Sequence, residues 1–178
     1  MANDVDVVGV IKFIEDKMNQ RLKGNNHNID AHTVFYNGDC GNLYELLKAA
    51  FPNEAKPYII YVNGEPYHVV TRIGEKYYDI TGEITLEEYK TYMKEKNGYS
   101  EEEHTYEIRP VEENDKTLLS MRHQYENTYA YDANFDEYTS LGTEIKDTID
   151  KLKKAIMETV RDREGNITEF PTGFSPEM

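Results

Sequence analysis

Cys40, His68 and Asp79 are the residues of this chain whose types and order fit one reaction. A thiol attacks as its thiolate, and a helix N-terminus favours that charge. An imidazole beside it takes and returns the proton, and a third group orients the imidazole. Such a set performs acyl transfer at an amide or isopeptide carbonyl through a thioester, which water or a second amine then resolves.

The chemistry requires elements that bring the three together. Tyr36-Asn37-Gly38-Asp39 is a turn signal, and Leu43, Leu46, Leu47 and Ala50 follow it at helical spacing until Pro52 ends the run. Cys40 therefore sits at or just before the first turn of a helix. Three short strands come next: Tyr58–Val62, Tyr67–Ile73 and Tyr77–Thr81, separated by Asn63-Gly64 and Gly74-Glu75. A two-residue turn at Gly74-Glu75 places Ile73 opposite Lys76. His68 and Asp79 then become diagonal neighbours on one face, within reach of their side chains. A three-residue loop would send Asp79 to the other face.

A helix-borne cysteine, a strand-borne histidine and an acid on the next strand resemble the compact core of the papain-like cysteine hydrolase superfamily. That group includes transglutaminase-like proteins and papain-fold effectors. The resemblance is carried by Gly38-Asp39-Cys40-Gly41-Asn42 and by Tyr67-His68-Val69-Val70 through Tyr77-Tyr78-Asp79-Ile80-Thr81-Gly82. It implies Cys40 as nucleophile, His68 as general base and acid, and Asp79 as orienting group. It also implies an oxyanion hole built from the Cys40 backbone amide, with Asn37 as a side-chain donor. The short spacing from Cys40 to His68 separates the chain from papain itself, and the absence of Trp separates it from the transglutaminase pattern. The likeness is to an architecture rather than to a substrate class.

Each residue also has a purely structural reading. A lone cysteine is commonly a small buried apolar residue, a strand histidine can be a satisfied core group, and Asp79 near Gly82 can simply begin a turn. His27, Asp30 and His32 share a polar loop, 23–33, that lacks the fixed second shell a metal site needs. His104 and His123 have no obvious companions. Tyr89 and Tyr92 have the spacing of core residues on a helix opened by Thr85. No metal or cofactor is expected, and no glycine spacing fits a phosphate-binding loop.

The remaining chain frames this core. Val7, Val8, Ile11, Ile14, Met18 and Leu22 predict a helix over 5–22 with Asp4 as cap, and Ile145, Ile149, Leu152, Ile156 and Val160 predict one over 143–162 capped by Thr143. A fourth strand is expected over 104–111, at an edge because of Pro110. The expected fold is α+β: a Cys-bearing helix on a three- or four-stranded antiparallel sheet, with N- and C-terminal helices around it. Residues 1–140 form the domain, 141–162 a packed helix and 163–178 a tail.

Of 178 residues, 34 are acidic and 20 basic, a net charge of −14. Residues 99–140 hold eleven acidic and three basic side chains, so this irregular or partly helical cover carries over half the excess. The balance argues against nucleic acid and against an anionic membrane surface as partners. It favours a protein or peptide substrate, with a cationic one the natural complement. A second reading is a non-catalytic acidic binding protein, such as a virus-encoded inhibitor or virion component, docking through Glu101–Glu103, Glu112 and Glu113. One cysteine excludes an internal disulfide, and the N-terminus lacks a signal-peptide pattern, so a cytoplasmic address is expected.

Overall fold

Helix α1 (Asp4–Gly24) buries Val7, Val10, Ile11, Ile14, Met18 and Leu22 along one stripe. Val8, expected in that stripe, is exposed. Asp4 is not a flanking cap but lies in the first turn, where its carboxylate accepts the Tyr78 hydroxyl at 2.8 Å. The computed structural model describes residues 4–25, 27–36, 38–99, 103–122, 129–132, 137–158, 160–161 and 167–169.

The polar loop expected over 23–33 is shorter than predicted, because Ala31–Tyr36 forms helix α2. Asp30 begins it: its carboxylate accepts the Thr33 amide at 2.9 Å and the Thr33 hydroxyl at 3.0 Å, the bonding of an N-cap. Helix α3 (Cys40–Ala50) follows and is buried along most of its length.

Strands β1 (Lys56–Val62) and β2 (Glu65–Ile73) join through Asn63-Gly64, with φ of 52° and 80°. Positive φ at both positions is the type I′ geometry that matches strand twist. Strand β3 (Lys76–Asp79) follows Gly74-Glu75, and Ile73 pairs with Lys76 as the two-residue turn requires. A strand not expected from the sequence, β4 (Gly82–Ile84), pairs with β3. Three residues are too few for an alternation signal. Strand β5 (Tyr106–Pro110) pairs with β1 and lies at the edge, where Pro110 costs no ladder bond. The sheet is five-stranded and antiparallel, in the order β4-β3-β2-β1-β5.

Helix α4 (Leu86–Asn97) is opened by a capping box: Thr85 Oγ1 accepts the Glu88 amide and Glu88 reaches back to the Thr85 amide. Helix α5 (Lys116–Ser120) is capped by Asp115, which accepts the Thr117 amide at 2.8 Å. Within the cover, β6 (Tyr129–Asp132) and β7 (Glu137–Ser140) pair as a hairpin, a regular element where an irregular stretch was expected. Helix α6 (Gly142–Met157) begins one residue before Thr143 and ends short of the predicted 162. Val160 has helical spacing, yet it belongs to β8 (Val160–Arg161), paired with β9 (Ile167–Glu169) in the expected tail. Val160 is β-branched, which favours extended backbone, and β9 supplies its ladder partner, Glu169.

Strand alternation divides the interior. Val69, Ile59 and Tyr78 face a core shared with α1, α3 and α6. Val70, Ile60 and Ile84 face a smaller core closed by Tyr89 and Met93 of α4. The sheet is thus covered on both faces. Among the described residues, no helix is long and apolar enough to cross a membrane.

Gly74 has a φ of +66° with open space where a side chain would sit. Gly74→Ala therefore adds backbone strain without a clash, and we expect a loss of about 1–2 kcal/mol. Urea unfolding with an unchanged slope would measure it.

Candidate active site

The register of β2 against β3 decides where the site lies. Pairing runs Ile73 with Lys76, Arg72 with Tyr77 and Thr71 with Tyr78, and then stops. His68 shares a face with Val70, and Asp79 shares one with Tyr77, so both point into the core closed by α4. Beyond the last pair the strands separate, and the two side chains meet: His68 Nε2 lies 3.1 Å from Asp79 Oδ2.

Cys40 reaches them from the opposite layer. In β2, the amides of residues 73, 71 and 69 point toward β3 by antiparallel alternation. The third has no strand partner there, and it donates to Cys40 Sγ at 3.4 Å. The sulfur is also near enough to the His68 imidazole to help hold the ring's charge. Cys40, His68 and Asp79 thus lie together in one buried cluster, with exposures of 5%, 2% and 1%.

Cys40 is the first residue of α3, so its backbone amide has no acceptor within the helix. Asp39 precedes it without capping by its side chain. Its carboxylate instead accepts the Asn42 side-chain amide at 2.8 Å. Asn42 Oδ1 is buried with no hydrogen-bond partner among the described residues. Asn37, the second oxyanion donor implied by the family resemblance, lies outside the described residues, as does His123.

Asp79 is saturated with donors. Oδ1 accepts the Thr81 amide at 2.8 Å and the Thr81 hydroxyl at 2.5 Å. Oδ2 accepts the Tyr36 hydroxyl as well as facing His68. One oxygen of Asp79 thus serves the turn and the other the contact with His68. Burial pushes its pKa up toward the neutral form, but the bonds from His68, Thr81 and Tyr36 prevail and hold the carboxyl below its usual range. Its contribution to stability is present above the unfolded-state value and is lost as pH falls through the native one.

Burial opposes a charge on His68. The Asp79 hydrogen bond and the hydrogen bond and charge of Cys40 overcome it, and the imidazole is pushed up to about 9. It is therefore protonated at neutral pH. Two rings stack on it: Tyr36 at 4.6 Å and 17°, and Tyr89 at 5.2 Å and 11°. Tyr89 is a core residue, as its spacing implies, and Tyr92 packs on Tyr36 at 4.7 Å. Sequence reasoning missed Tyr36, which reads as the start of a turn; the aromatic ahead of Gly38-Asp39-Cys40 was the only available signal.

The cover closes over the cysteine. An added Cβ at Gly41 would lie 2.4 Å from the Met121 carbonyl oxygen, so the chain after α5 rests directly on the first turn of α3. Arg122 stacks over Tyr44 at 5.4 Å and pairs with Glu113 at 2.6 Å. Tyr44 also donates to Glu113. Glu113 is thus tied to Tyr44 and Arg122, and like Glu103 and Glu112 it remains exposed. Glu101 and Glu102 lie outside the described residues.

The other histidines have separate roles. His27 pairs with Glu144 at 2.9 Å and His32 with Glu15 at 2.7 Å, tying the loop to helices α6 and α1. His104 stacks on Tyr99 at 4.4 Å. Among the described residues, no three His, Cys, Asp or Glu side chains are placed to hold a metal ion.

Two outcomes test this geometry. We expect the His68 imidazole to titrate near 9 when followed by NMR, and Asp79→Asn to lower the midpoint, because burial loses its main opponent. Gly41→Ala drives a methyl into the Met121 backbone and destabilises the protein by about 1–3 kcal/mol in a denaturant titration.

No curated protein and no solved structure matches the chain significantly. Residues 16–115 match a family described as phage YunG-like protein. This span is more than half of the chain and contains Cys40, His68 and Asp79; the chain belongs to the phage YunG-like protein family.

Proposed function

We propose that the protein is a cysteine hydrolase or acyl transferase of the papain-like type, acting on an amide or isopeptide bond. The observation that carries this reading is the buried cluster of Cys40, His68 and Asp79, with Val69 N–H and the first turn of α3 also directed at the sulfur.

The Cys40 thiolate attacks the carbonyl carbon and forms the C–S bond. The Cys40 amide, free of helix acceptors, is placed to donate to the oxyanion. His68 gives its proton to the leaving nitrogen as the C–N bond breaks, and a thioester remains. Water or a second amine then attacks, His68 takes its proton, and the C–S bond breaks to restore the thiolate. Asp79 holds the ring through Nε2 during both transfers. The acidic cover beside the cysteine suits a cationic protein or peptide substrate.

One observation favours a second reading. The thiol is only 5% exposed, and the Met121 backbone lies on the residue that follows it. A fold of this kind that binds without catalysis would use the exposed acidic surface, and the family description places its relatives with phage proteins.

Iodoacetamide alkylation of Cys40 across pH 4–10 discriminates. The enzyme reading expects reaction at pH 6 to be at least about tenfold faster in wild type than in His68→Ala. It also expects Cys40→Ala to abolish turnover of amide and isopeptide probes. A thiol that reacts slowly and ignores His68 would sink the reading and leave the binding role.

A further inference from the structure

Tyr36 touches both His68 and its carboxylate partner Asp79. Its ring stacks on His68 with centroids 4.6 Å apart, and its hydroxyl donates to Oδ2 of Asp79, the same oxygen that faces His68 Nε2. It comes from α2, an element separate from the helix and strands that carry the cluster. It is also the tyrosine that packs against both cores of the protein.

Its surroundings point outward. Tyr36 and Thr81, the two other side chains that donate to Asp79, line an open cavity of about 460 Å³ together with Tyr92 and Lys96. Asp79 does not line it. Tyr36 is therefore the wall between solvent-accessible space and the buried carboxylate. Water there would compete for Oδ2 and screen its attraction to the imidazole.

We propose that Tyr36 is a positioning residue for the acyl-transfer reaction, holding the His68–Asp79 pair in register and sharing Oδ2 so that Asp79 orients the imidazole without monopolising its proton. This rests on the reading of Cys40 as nucleophile. A carboxylate with one less donor concentrates its charge on the ring. The imidazolium then becomes a weaker acid toward the leaving amine. The groups facing His68 are Asp79, Cys40, Tyr36 and Tyr89, and those facing Asp79 are His68, Thr81 and Tyr36. Among the described residues, no cation besides the imidazolium bonds to Asp79.

The test is Tyr36→Phe, which keeps the stacked ring and removes only the hydroxyl, with Tyr92→Phe as control. Tyr92 packs on Tyr36 but gives Asp79 no hydrogen bond. Following the histidine carbon signals by NMR, we expect Tyr36→Phe to raise the His68 midpoint by about half a pH unit or more, and Tyr92→Phe to leave it in place. An unchanged or lowered midpoint in Tyr36→Phe, or an equal rise in Tyr92→Phe, overturns the proposal. The histidine titration does not depend on turnover. Failure of the nucleophile reading shows separately, as alkylation of wild-type Cys40 that is indifferent to His68→Ala. With the nucleophile active, Tyr36→Phe also slows amide turnover more than alkylation at the same pH.

Discussion

The β2–β3 ladder stops at Thr71 and Tyr78, and the arrangement of the site follows from that stop. Had it continued, Val69 would have found a strand partner, and His68 and Asp79 would have faced a continuous sheet. Instead the amide of Val69 turns to the sulfur of Cys40, so a helix from one layer reaches a histidine on the other. The tight turn after Asp79 is what ends the ladder. Thr81 folds back onto Asp79 Oδ1 and Gly82, with a φ of 104°, starts the return strand. The same three residues thus terminate the pairing and fix the carboxylate.

The second constraint is dielectric. All three side chains are almost fully withdrawn from water, where an unpaired ionised group costs several kcal/mol. The network meets this by multiplying partners: four donors converge on Asp79, and His68 has Asp79 and Cys40 beside it and rings against its faces. The aromatic walls exclude water without competing for the ring nitrogens. Tyrosine suits this better than phenylalanine, since each ring can carry a hydroxyl to the periphery. The high tyrosine content of the chain has one structural use here.

Much of this geometry was legible from the sequence because it depends on short-range chemistry. Asn63-Gly64 and Gly74-Glu75 specify two-residue turns, and parity then determines which side chains share a face. Pro52 and the apolar spacing placed Cys40 at a helix start. What escaped was either too short for periodicity or set by distant packing. The six residues of α2 cover less than two turns, so Tyr36 looked like part of a turn. Val160 continued an apolar stripe, yet pairing with Ile167–Glu169 took it out of the helix. The cover's hairpin pairs polar and aromatic residues that carry no alternation of apolar and polar type. The closeness of Met121 to Gly41 depends on contacts eighty residues apart, which local patterns do not encode.

The helices at the two ends of the chain share one core. Residues of α1 and α6 pack together on α3, and Arg21 pairs with Asp147 at 2.9 Å. Tyr78 ties to Asp4 across 74 positions. During synthesis α1 precedes α6 by more than a hundred residues, so it waits long for part of its packing surface. Its apolar stripe waits while the sheet forms and is fully covered only after α6 has left the tunnel. Nascent chains stopped before residue 142 would hold the cysteine, histidine and aspartate but lack a wall of their core. The core around the site is therefore closed only after α6 has been made.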